Sequence, residues 1–216
     1  EITTRLVGSE MCIRDRYISH PTELGTVYTL RELEAICEAA HRYHLPVFVD
    51  GARMAYGLAA SDITLPDLAR LCDVFYLGGT KAGALFGEAV VITNEALKSD
   101  FRYLIKQRGG MLAKGRLLGV QFEALFTDGL YFEIGRQAIE TAQALRRVLH
   151  ERGYQFFLET PTNQQFVILP NEDMARIREH ASIEYWEKYD DTHTVVRFCT
   201  SWATTQEDID ALAAVL

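Results

Sequence analysis

No apolar run in this 216-residue chain approaches the roughly 20 residues needed to cross a bilayer, so no membrane partner is expected. Basic residues are in the minority. There are 22 Lys and Arg against 30 Asp and Glu, a net charge of −8, and no basic cluster dense enough to follow a phosphate backbone, which argues against a nucleic-acid partner. The four cysteines, Cys12, Cys37, Cys72 and Cys199, are far apart and form no CxxC pair, so neither a zinc site nor a disulfide framework is expected. Free thiols in a reducing cytoplasm fit that usage. His41, His44, His150, His180 and His193 lack metal-ligand spacing, and no metal is expected. Ser19 and His20 are no nucleophile pair, because adjacent residues on a strand face opposite ways. Repeats and low-complexity segments are absent too. What is present is a globular composition, 48% hydrophobic and 11% aromatic, ample for a packed core.

Residues 5–16, RLVGSEMCIRDR, show neither helical nor strand periodicity. They resemble the conceptual translation of a transposase-type sequencing adaptor: ATG TGT ATA AGA GAC AG reads Met-Cys-Ile-Arg-Asp and then Arg or Ser. Residues 1–16 are therefore expected to be an artefactual leader, with the natural sequence entering near Tyr17. Removing them takes away three acids and three arginines, so the net charge is unmoved.

Downstream the pattern is regular. YISH stops at Pro21 and reads as a strand end. Thr29 and Glu32 form a capping box ahead of Leu30, Leu33, Ile36, Cys37, Ala40 and Tyr43 at helical spacing. VFVD is a strand ending on Asp50, a helix is capped near Thr64 with Pro66 in its first turn, and DVFYLGGT and GEAVVIT are two further strands. Residues 98–112 read as helical and basic. Apolar strands alternating with helices predict an α/β fold with a parallel-type sheet covered on both faces. From about residue 130 the character changes to a long amphipathic helix ended by Gly153, strands YQFFLE, QQFVILP and HTVVRFCTS, a helix over 172–180, and a last helix opened by Thr204 or Thr205. The chain is expected to divide near 127, with a larger α/β part over 17–127 and a smaller α+β part with antiparallel pairing over 128–216.

Two strand ends carry the chemistry. Asp50 ends VFVD and Lys81 follows VFYLGGT, and in an open α/β sheet ligands bind at the carboxyl ends of strands. An acid and a lysine opening on one crevice suit pyridoxal phosphate. A lysine kept dry by apolar neighbours can lose its proton near neutral pH and form a Schiff base with the aldehyde. The acid keeps the ring nitrogen protonated so that the ring accepts electrons, and glycines beside the lysine allow close backbone approach. A plain Asp50–Lys81 ion pair is the open alternative. Arg53 and Arg197 weigh against it: Arg197 lies within the apolar strand TVVRFCT and needs an anion there, and a fork gripping a substrate carboxylate supplies one. An edge strand with a snorkelling arginine is the other option. His20 sits at a strand end, over a cofactor or in a capping role. Lys106, Arg108, Lys114 and Arg116 cluster around a Gly-Gly pair and read as a phosphate contact or a solvated helix face.

PTELGT, VDGARMAYGLAAS, DLARLCDVFYLGGTKAGALFGEAVVI, IKQRGGMLAKGRLLG and VVRF together resemble the low-specificity threonine aldolase branch of the threonine aldolase and aromatic β-eliminating lyase family, from Tyr17 to the end of the chain. The resemblance implies the aminotransferase-like fold of pyridoxal 5'-phosphate enzymes (fold type I), here as the second half of the large domain plus the small C-terminal domain. It implies that Lys81 carries the cofactor, Asp50 partners the pyridine nitrogen, Thr80 helps hold the phosphate, and Arg53 and Arg197 bind the substrate carboxylate. The implied activity is cleavage of a β-hydroxy amino acid such as threonine to glycine and an aldehyde, in a cytoplasmic homodimer or homotetramer. β-Elimination or transamination on the same scaffold is the nearest rival, and a non-catalytic remnant in which Asp50 and Lys81 only pair is the other. The family's Gly/Thr-rich phosphate cup and ring-stacking residue have no counterpart here, so the chain is expected to be an incomplete and inactive part of a longer protein.

Overall fold

The computed structural model describes residues 15–216; Cys12 and all but the last two residues of the adaptor-like stretch lie outside the described residues. The first sheet has the order β1 (Arg16–Ser19), β2 (Val47–Asp50), β3 (Val74–Gly78), β4 (Glu88–Ile92). β1, β2 and β3 run parallel as expected, whereas β4 returns antiparallel to β3. The 79–87 connection accounts for that reversal, since a parallel crossover takes roughly a dozen residues or more.

Helices α1 (Leu30–Arg42) and α3 (Leu65–Leu71) begin where the sequence places them, whereas α2 (Met54–Ala60) forms where a loop is expected and starts without a side-chain cap. Thr29 and Thr64 each accept from the backbone three residues on, and Glu32 and Asp67 reciprocate. Their apolar sides share one core with Ile18, Val47, Val49, Phe75 and Leu77, which all point to the same face of the sheet. On the opposite face Phe48, Val74, Tyr76 and Ile92 stay half-buried and Tyr17 is exposed. The expected cover on both faces is therefore not found among the described residues: these strands alternate in burial rather than hiding both sides.

The helix expected over 98–112 is cut to α4 (Phe101–Gln107), because Gly109 adopts φ +79° and turns the chain. α5 (Arg116–Phe126) and the 22-residue α6 (Leu130–Glu151) follow. α6 belongs to both halves. Tyr131 and Ala138 enter the first core, while Ala144, Leu145 and Leu149 enter a second one. Its first half lies hard against α2, where a Cβ on Gly135 would meet the Ala55 carbonyl oxygen at 2.2 Å. The second sheet is antiparallel, ordered β5 (Gln155–Leu158), β6 (Gln164–Pro170), β8 (His193–Cys199), β7 (Glu184–Lys188), with α7 (Asn171–Arg178) and α8 (Gln206–Ala213) beside it. β7, EYWEK, is an element that its charged composition hides from sequence reading.

Candidate active site

Asp50 ends β2 on the open face, and its carboxylate accepts three hydrogen bonds. It accepts from the hydroxyls of Tyr17 and Tyr76 and, at 3.0 Å, from the backbone N–H of Ala52. Burial pushes its pKa upward, but the two phenols, the amide and the charge of Lys81 outweigh burial, and the net shift is downward. Asp50 is therefore ionised at neutral pH. The phenols move oppositely, Tyr17 up to about 12 chiefly through its bond to Asp50 and Tyr76 well above the usual tyrosine range through burial and the same carboxylate. Gly51 is needed beside it, because any Cβ there would fall 1.9 Å from the Tyr76 carbonyl oxygen.

Lys81 lies one strand over, on the single 3₁₀ turn Thr80–Ala82 that follows β3. The expectation of a dry lysine is corrected here. Ala82 turns inward and is buried, while Thr80 and Lys81 turn outward and are exposed, because a tight turn sends successive side chains in different directions. The turn itself is anchored. The buried Tyr56 of α2 donates to the Lys81 carbonyl, and the buried Tyr131 of α6 donates to the Gly78 carbonyl at 3.1 Å. Asp50 hydrogen-bonds two tyrosines and an amide rather than Lys81, whose charge reaches it only through space.

The two arginines are both held by carboxylates. Arg53, with a side chain only 11% exposed, pairs with Glu23 through Nη1 to Oε1 at 3.1 Å and Nη2 to Oε2 at 3.5 Å. Arg197 lies on the interior strand β8, opposite Glu184 in register, so the edge-strand option does not hold. It donates from Nε to Glu184 at 3.0 Å and from Nη1 to Gln164 Oε1 at 2.9 Å, and its guanidinium lies 5.4 Å from the Trp186 ring centre. The bond to Arg53 comes first among the influences that hold Glu23 below the usual carboxylate range, and the charges of Arg53, Lys81 and Arg197 add to it against burial. Glu23 thus feels the charges of Arg53, Lys81 and, from the second sheet, Arg197, while Asp50 feels that of Lys81.

His20 does not open on this site. It is 1% exposed, with Nδ1 at 3.5 Å from the Tyr28 N–H, Nε2 at 3.4 Å from Ser61 Oγ and its ring stacked on Tyr28. Burial pushes it down to about 4. Lys106, Arg108, Lys114 and Arg116 are all exposed. Sequence reasoning missed Tyr17 and Tyr76, although strand alternation puts both on the Asp50 face, and it missed Glu23, Gln164, Tyr56 and Tyr131, for which no local pattern exists.

Residues 17–172 match a family model described as beta-eliminating lyase. A curated relative, the low specificity L-threonine aldolase of a Pseudomonas species, is 30% identical over 201 residues, covering 91% of this chain and 57% of the relative. A solved structure of Leishmania major threonine aldolase is 44% identical with a TM-score of 0.90, covering 92% of this chain and 59% of that one. A lysine-to-alanine variant of serine palmitoyltransferase from S. paucimobilis with a bound PLP–myriocin aldimine is 16% identical with a TM-score of 0.61, covering 92% of this chain and 52% of that one, a likeness of fold. The chain spans under three fifths of the length of the curated relative.

Proposed function

This chain belongs to the beta-eliminating lyase family, and from that premise we propose that it forms one wall of a pyridoxal-phosphate site at which a β-hydroxy amino acid of the threonine type is cleaved to glycine and an aldehyde. The observation that carries the reading is the juxtaposition of an ionised Asp50 at the end of β2, an exposed primary amine on Lys81 just past β3, and two arginines each paired with its own carboxylate, Arg53 with Glu23 and Arg197 with Glu184. The donor set fits the cofactor. Lys81 would hold it through Nζ, Asp50 would face the ring nitrogen, and the Thr80 hydroxyl would help hold the phosphate. Bound there, pyridoxal phosphate supplies an electron sink for the pair left when a bond to the substrate α-carbon breaks.

The remaining work falls to this chain's residues. Asp50 keeps a proton at the ring nitrogen, and Tyr17 and Tyr76 keep Asp50 charged for that task. Arg53 and Arg197 would take the substrate carboxylate and so fix the orientation in which the amino acid is held. Tyr56 and Tyr131 hold the backbone that presents Lys81. We divide the chain at residue 127, with α6 lent to both cores. The exposed apolar side chains of Leu85, Tyr103, Leu112, Leu117 and Val120 suit burial between copies in a homo-oligomer. The free thiols of Cys37, Cys72 and Cys199 suit the cytoplasm.

The test uses the longest natural form carrying this chain. Threonine should release acetaldehyde, and Lys81→Ala should abolish both that and the absorbance of added pyridoxal phosphate bound to the lysine. 2-Oxobutyrate with ammonia, or a four-carbon 2-oxo acid that needs an amino acceptor, in place of acetaldehyde would refute aldol cleavage.

A further inference from the structure

We infer that Glu23 is an internal stand-in for the substrate carboxylate, occupying Arg53 until the amino acid's own carboxylate displaces it, and so setting how tightly the amino acid binds. The inference rests on the reading above in which Arg53 and Arg197 bind that carboxylate.

A nearly buried guanidinium must have an anion, because an unpaired buried charge is costly. Among the described residues Arg53 takes it from Glu23 alone, two nitrogens facing two oxygens at 3.1 and 3.5 Å, the fork geometry an amino acid's carboxylate would adopt. Glu23 is not itself fixed by burial: its side chain is 71% exposed. One partner is therefore held in place and the other can swing into water, which is what a replaceable ligand requires.

The loop beneath Glu23 is firm. Residues 22–26 close on themselves through Thr22 N–H to the Thr26 carbonyl and Gly25 N–H to the Thr22 carbonyl, each at 2.9 Å. The second sheet's side ties the loop down, with Thr162 Oγ donating to the Gly25 carbonyl at 2.9 Å and Gln164 Nε2 to the Glu23 carbonyl at 3.3 Å. Displacement thus means rotation of one side chain with its backbone unmoved. Its carboxylate contacts Arg53 and also feels the charges of Lys81 and Arg197, which together hold Glu23 below the usual carboxylate range. The pairing of Arg197 is different in kind. Glu184 faces it by strand register, Gln164 holds its other arm and Trp186 lies under it, so that arginine is positioned for good.

The experiment measures the dissociation constant of glycine, which carries the carboxylate and undergoes no cleavage of a β-carbon bond, by calorimetry on the cofactor-loaded longest natural form. Glu23→Gln and Glu23→Ala should each bind glycine about two- to fivefold more tightly, the range set by the weakness of a half-exposed ion pair. Unchanged or weaker binding in both variants, at wild-type melting temperature, would overturn the inference. Arg53→Ala separates the two readings. If it weakens glycine binding while the Glu23 variants do not tighten it, only the stand-in role fails; if it leaves glycine binding unchanged, the carboxylate site and the inference built on it fail together.

Discussion

His20 supplies the sharpest test of how this fold is held. The ring is buried among Tyr28, Ser61 and Pro21, and Gly57 lies so close that a Cβ there would sit 3.1 Å from the His20 ring. Burial lowers its pKa to about 4, with the nearby Asp62 charge working the other way, from an ordinary value of about 6.5 in the unfolded chain. The folded pKa is depressed, so the unfolded chain binds the proton first as pH falls. Stability is then full above the ordinary histidine range, declines as pH drops through it, and levels off below the folded pKa. At about 1.4 kcal/mol per pH unit the whole loss is about 3 kcal/mol, of which about 2 kcal/mol falls between pH 7 and pH 5. Urea denaturation of the wild type and His20→Gln at both pH values isolates the effect as a double difference. The wild type should lose about 2 kcal/mol more than the variant over that interval. Equal losses would refute the reasoning, for they would mean that His20 titrates alike in both states and is hydrated or paired in the fold.

Three further outcomes follow from packing and pairing. Gly135→Ala drives a Cβ to within 2.2 Å of the Ala55 carbonyl, whereas Gly119→Ala in α5 meets nothing within 4 Å; the first should destabilise by about 2 kcal/mol or more and the second stabilise by about 0.5–1 kcal/mol in urea titrations. Thr29→Ala removes a cap that accepts the Glu32 N–H at 3.2 Å and should cost about 1 kcal/mol in the same measurement. Arg197→Lys cannot reproduce the fork to Glu184 and Gln164 over Trp186; glycine affinity should fall about tenfold, with a shift in Trp186 fluorescence.

The parts of this fold that could be read from the chain are those whose causes are local. The capping boxes at Thr29 and Thr64 need only four consecutive residues, and both open helices as read. The antiparallel turn of β4 is legible too, because 79–87 is too short for a crossover, whereas the apolar run of GEAVVIT taken by itself points to a buried parallel strand. β7 stayed hidden for another reason: EYWEK has no apolar face of its own, and it is a strand because β8 offers it an edge.

The site divides along the same line. Asp50, Lys81, Arg53 and Arg197 announce themselves because a charge at a strand end or within a strand is costly unless something uses it. The carboxylates that pair with the arginines are exposed residues with no such signal, and only the pairing of elements shows them. Glu23 lies 30 residues from Arg53 and Glu184 lies 13 from Arg197 across a strand that was itself unread. The misreading of Lys81 as dry has the same origin. Apolar neighbours in sequence are neighbours in space only along a regular element, and Lys81 sits on a turn that buries Ala82 and turns the lysine out. An exposed amine beside an ionised acid carries the proposed chemistry only if the cofactor itself excludes water from the lysine. What covers the turn, and not the lysine's neighbours in sequence, therefore decides whether that amine meets water.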